Sequence, residues 1–121
     1  MLEPISHSEK AMPRCLFQFS YTPEAWAALV ANPADRRSGI QALAEKLGGR
    51  LVEFSYAFGD YDGVAIFEAP DTTAMTAAVL ASLGAGHLKA TKTTLLIPVE
   101  EAVEAMRRAG QVSFQGPTAA H

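Results

Sequence analysis

Hydrophobic and polar positions change their spacing several times along the chain, and each change marks an element. Over Arg14–Tyr21, Cys15, Phe17, Phe19 and Tyr21 alternate with Leu16, Gln18 and Ser20. That period of two predicts a strand with one aromatic face. Thr22-Pro23-Glu24 supplies an N-cap, a proline for the first helical position and an early acid. A helix carrying Trp26, Leu29 and Val30 is therefore expected until Asn32-Pro33 interrupts it. Asn32 is expected to cap a second helical segment, with Pro33 at its first position. Ile40, Leu43, Ala44 and Leu47 then recur at helical spacing, and Gly48-Gly49 stops the run.

The second half repeats the alternation. Leu51–Phe58 reads as a strand with Val52, Phe54, Tyr56 and Phe58 on one face. Gly59-Asp60 separates it from a third strand, Tyr61–Glu68, and a Gly-X pair in that place predicts a two-residue hairpin in a type II′ turn. Pro70 ends the third strand, and Asp71 opens a helix to about Leu83 with Met75, Val79 and Leu83 on its buried side. His87–Ile97 forms a long fourth strand. Pro98 starts a last helix with Val99, Val103 and Met106 along one stripe and Gly110 as its stop.

The order β-α-β-β-α-β with an added C-terminal helix is the α+β, ferredoxin-like pattern. Right-handed crossovers give a four-stranded antiparallel sheet with the long helices on one face. The opposite face should be polar if it meets water, yet the third strand is apolar in its middle on both sides. That pattern favours a homodimer closed through the sheet face over a monomer with the last helix laid across it. The folded domain is placed at 12–109. Residues 1–11, polar and aperiodic, are expected to form a disordered arm, and 110–121 a disordered tail.

Composition narrows the function classes. The chain has 121 residues, is 49% hydrophobic and 19% charged, and carries a net charge of −3. One domain of ordinary globular make-up follows, and the acidic balance argues against nucleic acid as a partner. Arg36-Arg37 and Arg107-Arg108 read as solvated helix positions, too few for a phosphate-binding surface. No apolar run approaches a membrane span, and the first residues lack the apolar core of a signal peptide. The single cysteine, Cys15, excludes an intrachain disulfide and suits a reducing, cytoplasmic setting. Three histidines, two of them in the terminal segments, give no Cys/His metal constellation, so no metal or cofactor is expected.

Several segments resemble the GYD-domain family of the dimeric α/β-barrel superfamily. They are Leu16-Phe17-Gln18-Phe19-Ser20-Tyr21-Thr22-Pro23, Leu47-Gly48-Gly49, Phe58-Gly59-Asp60-Tyr61-Asp62, Glu68-Ala69-Pro70-Asp71 and Thr91-Lys92-Thr93-Thr94-Leu95-Leu96. Gly59, Tyr61 and Asp62 match the glycine, tyrosine and aspartate of the family's name, with Asp60 intervening. The resemblance, which spans about Met12 to Ala109, implies a ferredoxin-like subunit that forms dimers or larger rings. It assigns no reaction. Relatives in the superfamily include small-molecule monooxygenases, isomerases and stress-response proteins, and shared fold does not transfer chemistry.

Three groups of residues are candidates for function. Gly59 and Asp60 are expected to make the hairpin turn, Gly59 by supplying a positive φ. Asp62 and Tyr61, with His87 at the start of the fourth strand, are weak candidates for acid–base catalysis in a cofactor-independent isomerase or monooxygenase. The alternative for Asp62 is a hydrogen bond to backbone. Phe17, Phe19, Tyr21, Trp26, Tyr56 and Phe58 either fill an aromatic core or line a pocket for a small apolar or aromatic molecule. Cys15 reads as a small core residue. Lys89 and Lys92 fall on opposite faces of the fourth strand, where one of them is expected to pair with Glu53 or Asp62. A third possibility is a purely structural oligomerisation or protein-interaction module using the open sheet face.

Overall fold

The computed structural model of the protein describes residues 12–117. Its elements are β1 (Arg14–Tyr21), α1 (Pro23–Ala31), α2 (Arg37–Lys46), β2 (Arg50–Tyr56), β3 (Gly63–Glu68), α3 (Thr72–Gly84), β4 (Leu88–Leu96) and α4 (Val99–Ala109). The strands form one antiparallel sheet in the order β2-β3-β1-β4. This is the ferredoxin-like arrangement, with α4 added after the last strand. The arm expected over 1–11 lies outside the described residues, as do residues 118–121. Gln111–Pro117 holds no helix or strand.

The helix starts follow their capping chemistry. Thr22 Oγ1 accepts the Ala25 N–H at 3.1 Å, and Asp71 Oδ1 accepts the Ala74 N–H at 2.8 Å. Each satisfies one of the donors that a helix leaves unpaired at its first turn. Asn32, by contrast, does not open the second helix. Its N–H bonds the Ala28 carbonyl and it ends α1. Asp35 accepts the Arg37 N–H at 3.0 Å, a turn closed two residues on, and the helix begins only there. At its far end, Gly48 takes a φ of +87°, the left-handed residue that stops α2.

The hairpin also differs from expectation. The Ala57 N–H donates to the Asp62 carbonyl at 2.7 Å, so Phe58–Tyr61 forms a four-residue tip. Gly59 has no positive φ. A tip of this length does not need the mirror-image geometry that a two-residue hairpin demands. A second irregularity lies in β2, where Leu51 pairs with Phe67 and Glu53 with Ile66. Val52 is the extra residue of a bulge, so Leu51, and not Val52, shares a face with Phe54 and Tyr56.

Cys15, Phe17, Phe19 and Tyr21 form the spine of the core, packed with Ala25, Ala65, Phe67, Ala69, Met75 and Ala78. They occupy the helix-covered side of the sheet. The other side carries Leu16, Gln18 and Ser20 from β1, level with Ile66 and Val64 of β3 and with Thr94, Lys92 and Ala90 of β4. Ser20 is buried among them. No residue of α4 is buried, and Val99, Val103 and Met106 are all exposed. Among the described residues, no helix is long and apolar enough to cross a membrane.

Candidate functional site

The helices do not close down fully on the sheet. A cavity of about 450 Å³ lies between them, floored by Phe17, Phe19, Tyr21, Ala65 and Phe67 and walled by α1, α2 and α3. Small side chains make the space: Ala28, Gly39, Ala44, Ala78 and Ala81 stand where larger residues would fill it. The volume falls within the range of about 300–1,000 Å³ typical of small-molecule sites. The polar lining gathers where β1 ends and β4 begins. Tyr21 pairs with Leu88 across that end, and the Thr22 N–H donates to the His87 carbonyl at 2.9 Å. Tyr21, His87 and Arg36 all line the cavity.

Burial pushes the Tyr21 phenol above its ordinary range, and the neighbouring Tyr56 hydroxyl raises it further. The nearby Arg36 guanidinium pulls it part of the way back. Tyr21 therefore stays protonated and offers an O–H donor at neutral pH. Arg36 is exposed, as expected of a solvated position, and its guanidinium folds over the first turn of α2. A Cβ placed on Gly39 would lie 3.3 Å from Arg36 Nη1. The signal for this in the sequence is faint: Arg36 has Asn32 and Pro33 before it and Gly39 and Ile40 after it, so no acid stands one helical turn away.

The aromatic candidates divide. Phe17, Phe19 and Tyr21 line the cavity, whereas Trp26 and Tyr56 face a smaller hollow of about 180 Å³ shared with Leu29 and Pro33. Phe54 joins the two groups: its ring stacks on Phe19 at 5.9 Å and meets Tyr56 edge-on at 5.2 Å. Phe58, at the hairpin tip, is fully exposed and belongs to neither. Cys15 is fully buried in the core beside Phe17, outside the cavity lining, and burial raises its thiol, with a backbone contact to Thr94 working the other way. Such a thiol is a packing group and a poor nucleophile.

The catalytic candidates are not brought together. Asp62 Oδ2 accepts the Trp26 indole N–H at 2.9 Å and the Tyr21 backbone N–H at 3.0 Å, tying the hairpin to α1 and to the end of β1. Its own N–H donates to the Phe19 carbonyl at 2.8 Å. Asp62 and Tyr61 do not line the cavity, and His87 does. Asp60 accepts a long 3.4 Å bond from the Ser20 hydroxyl through its backbone carbonyl. Lys92 stands on the open sheet face opposite Gln18, with two strands between it and Glu53, and neither Lys89 nor Lys92 pairs with Glu53 or Asp62. Among the described residues, no group of three or more His, Cys, Asp or Glu side chains is placed to hold a metal ion.

The GYD domain model matches residues 15–106, a span that runs from the start of β1 into α4. The chain belongs to the GYD domain family. No curated protein matches this GYD chain. Among solved structures, MtbAldR superposes with a TM-score of 0.51 at 15% identity, covering 70% of this chain and 51% of that one. A transcriptional regulator from Neisseria meningitidis, described as a complex with L-Met, gives a TM-score of 0.48 at 15% identity over 80% of this chain and 56% of its own. An uncharacterized NIPSNAP-like domain protein from Burkholderia xenovorans gives 0.42 at 15% identity, over 88% and 90%. The GYD chain spans about half the length of the first two. At such identity the likeness to MtbAldR concerns the fold alone.

Proposed function

We propose that this GYD-domain protein is a cytoplasmic homo-oligomer whose subunits each take up a small apolar or aromatic molecule between sheet and helices. The observation that carries the reading is the cavity of about 450 Å³, apolar along its floor and polar at one end. Such a combination holds a ligand by area and orients it by a few polar groups. A close-packed aromatic core would serve a purely structural module equally well, and it would leave no such space.

The oligomer reading rests on the opposite side of the sheet. Leu16, Val64 and Ile66 form an apolar centre there, with Glu53 at the β2 edge and Lys92 at the β4 edge. Neither charge has an ion-pair partner among the described residues. A two-fold axis running along the strands stacks β2 of one copy over β4 of the other. Each Glu53 edge then faces a Lys92 edge while the apolar centres cover one another.

Native mass spectrometry under conditions that preserve non-covalent complexes tests both halves. An even multiple of the subunit mass is expected, carrying one small additional mass per subunit when the site is filled. A monomer at micromolar concentration refutes the face-to-face dimer. An oligomer that takes up no member of an aromatic fragment library refutes the cavity reading.

A further inference from the structure

The cavity has a charge signature. Its lining includes Arg36, His87 and Tyr21 but, among the described residues, no Asp and no Glu. Arg14, Arg37, Arg50, Arg107 and Arg108 each meet a carboxylate within 3.1 Å. Arg36 alone among the arginines has no such partner among the described residues. Asp35, its neighbour in sequence, is taken up by Arg37 through contacts of 2.7–3.1 Å. A chain with net charge −3 has acids to spare, so an unpaired guanidinium at an apolar cavity is a conspicuous exception. It is held there by the bare Gly39 turn and stands beside the Tyr21 hydroxyl.

From this arrangement we infer that the ligand is a small apolar or aromatic carboxylate. Its carboxylate rests on the Arg36 guanidinium and the Tyr21 hydroxyl, and its body lies along Phe17, Phe67 and Val79. The inference rests on the cavity reading above and adds the chemical class. A guanidinium presents paired N–H donors that match the two oxygens of a carboxylate, and it has no acceptor with which to hold an amine. The Tyr21 phenol supplies a further donor once its proton turns from Tyr56 to the ligand. An amino group carried beside the carboxylate gains nothing, because no acid lines the cavity to receive it.

Isothermal titration calorimetry with benzoate, 3-phenylpropionate and 2-naphthoate, each paired with its primary amide, tests the assignment. At least one acid should bind about tenfold more tightly than its amide, the worth of one charge-assisted contact at a partly exposed site. Arg36→Gln should bring that acid down to the level of the amide without moving the thermal midpoint, since Arg36 is exposed and makes no ion pair among the described residues. Arg36→Lys should recover part of the difference, keeping the charge and losing the fork. Equal binding of acid and amide, unchanged in Arg36→Gln, overturns the anchor and leaves the cavity reading standing. Failure of every acid and every amide to bind at about 1 mM, the weak end of specific affinity, overturns both.

Discussion

Replacing Asp62 by alanine tests the tie at the base of the hairpin most directly. One carboxylate oxygen accepts two N–H groups, the Trp26 indole at 2.9 Å and the Tyr21 backbone at 3.0 Å. Hydrogen bonds to a charged group contribute about 1.5–3 kcal/mol each, and the lower figure suits a part-buried site. Asp62→Ala should therefore cost about 3 kcal/mol, a large share of the roughly 5–15 kcal/mol that holds a domain together. For a fold of this size that is a fall in thermal midpoint of about 12 °C. Asp62→Asn keeps an oxygen that can accept both donors and loses only the charge, so about 1 kcal/mol is expected. Urea unfolding should be followed by far-ultraviolet circular dichroism, because Trp26, the single tryptophan, is itself one of the donors. In a Trp26→Phe background the alanine penalty should shrink by about half, the coupling a double-mutant cycle isolates. An Asp62→Ala protein within about 0.5 kcal/mol of wild type, the range of neutral surface changes, would refute the reasoning.

Two further outcomes follow from the sheet. At Gly63 an added Cβ would lie 2.7 Å from Phe19 Cε1 and closer still to Cζ, whereas at Gly59 it would meet nothing within 4 Å. Gly63→Ala should cost about 1–3 kcal/mol through displacement of the Phe19 ring, while Gly59→Ala stays within about 0.5 kcal/mol; urea midpoints of equal size for the two variants would contradict this. Burial alone would raise the Glu68 carboxyl, but hydrogen bonds from Arg14 at 2.7 Å and Arg50 at 2.9 Å outweigh it and hold it below the ordinary 4.5. A depressed carboxyl stabilises the folded state above its unfolded value, and that contribution is lost as the pH falls through the folded one. The wild-type urea midpoint should therefore drop below about pH 4.5 more steeply than that of Glu68→Gln, and parallel pH curves would exclude the contribution.

The alternation of Cys15, Phe17, Phe19 and Tyr21 is enough to locate β1 and its buried face, because a strand repeats every two residues and only one side of this one meets helices. The same logic misplaces Val52, since a bulge adds one residue to β2 without any mark in the pattern. Gly59-Asp60 misleads for a related reason: the dipeptide suits a tight hairpin, but the Ala57–Asp62 hydrogen bond closes the ladder further out and leaves a longer tip. Asp62 is visible as a turn acid only in outline; its two donors come from β1 and α1, some forty residues away in sequence, and no local spacing announces them. The cavity is the least legible of all. Aromatic residues that fill a core and those that floor a hollow alternate identically, and what separates the cases is the size of the residues above them.

Those residues are mainly alanines. Seven of them, Ala25, Ala28, Ala44, Ala65, Ala78, Ala81 and Ala85, line the space. Alanine is the best helix former, so the five on helices fix the backbone while leaving the volume unspent. Exchange for valine or leucine at Ala28 or Ala81, both on outward-reaching parts of the wall, trims the hollow by two or three carbon atoms and leaves the sheet untouched. The volume of the hollow is thus graded by the carbon atoms carried on the helices, over a hydrogen-bonded sheet that stays as it is. A wall built this way can change the volume it encloses by single substitutions without disturbing the fold.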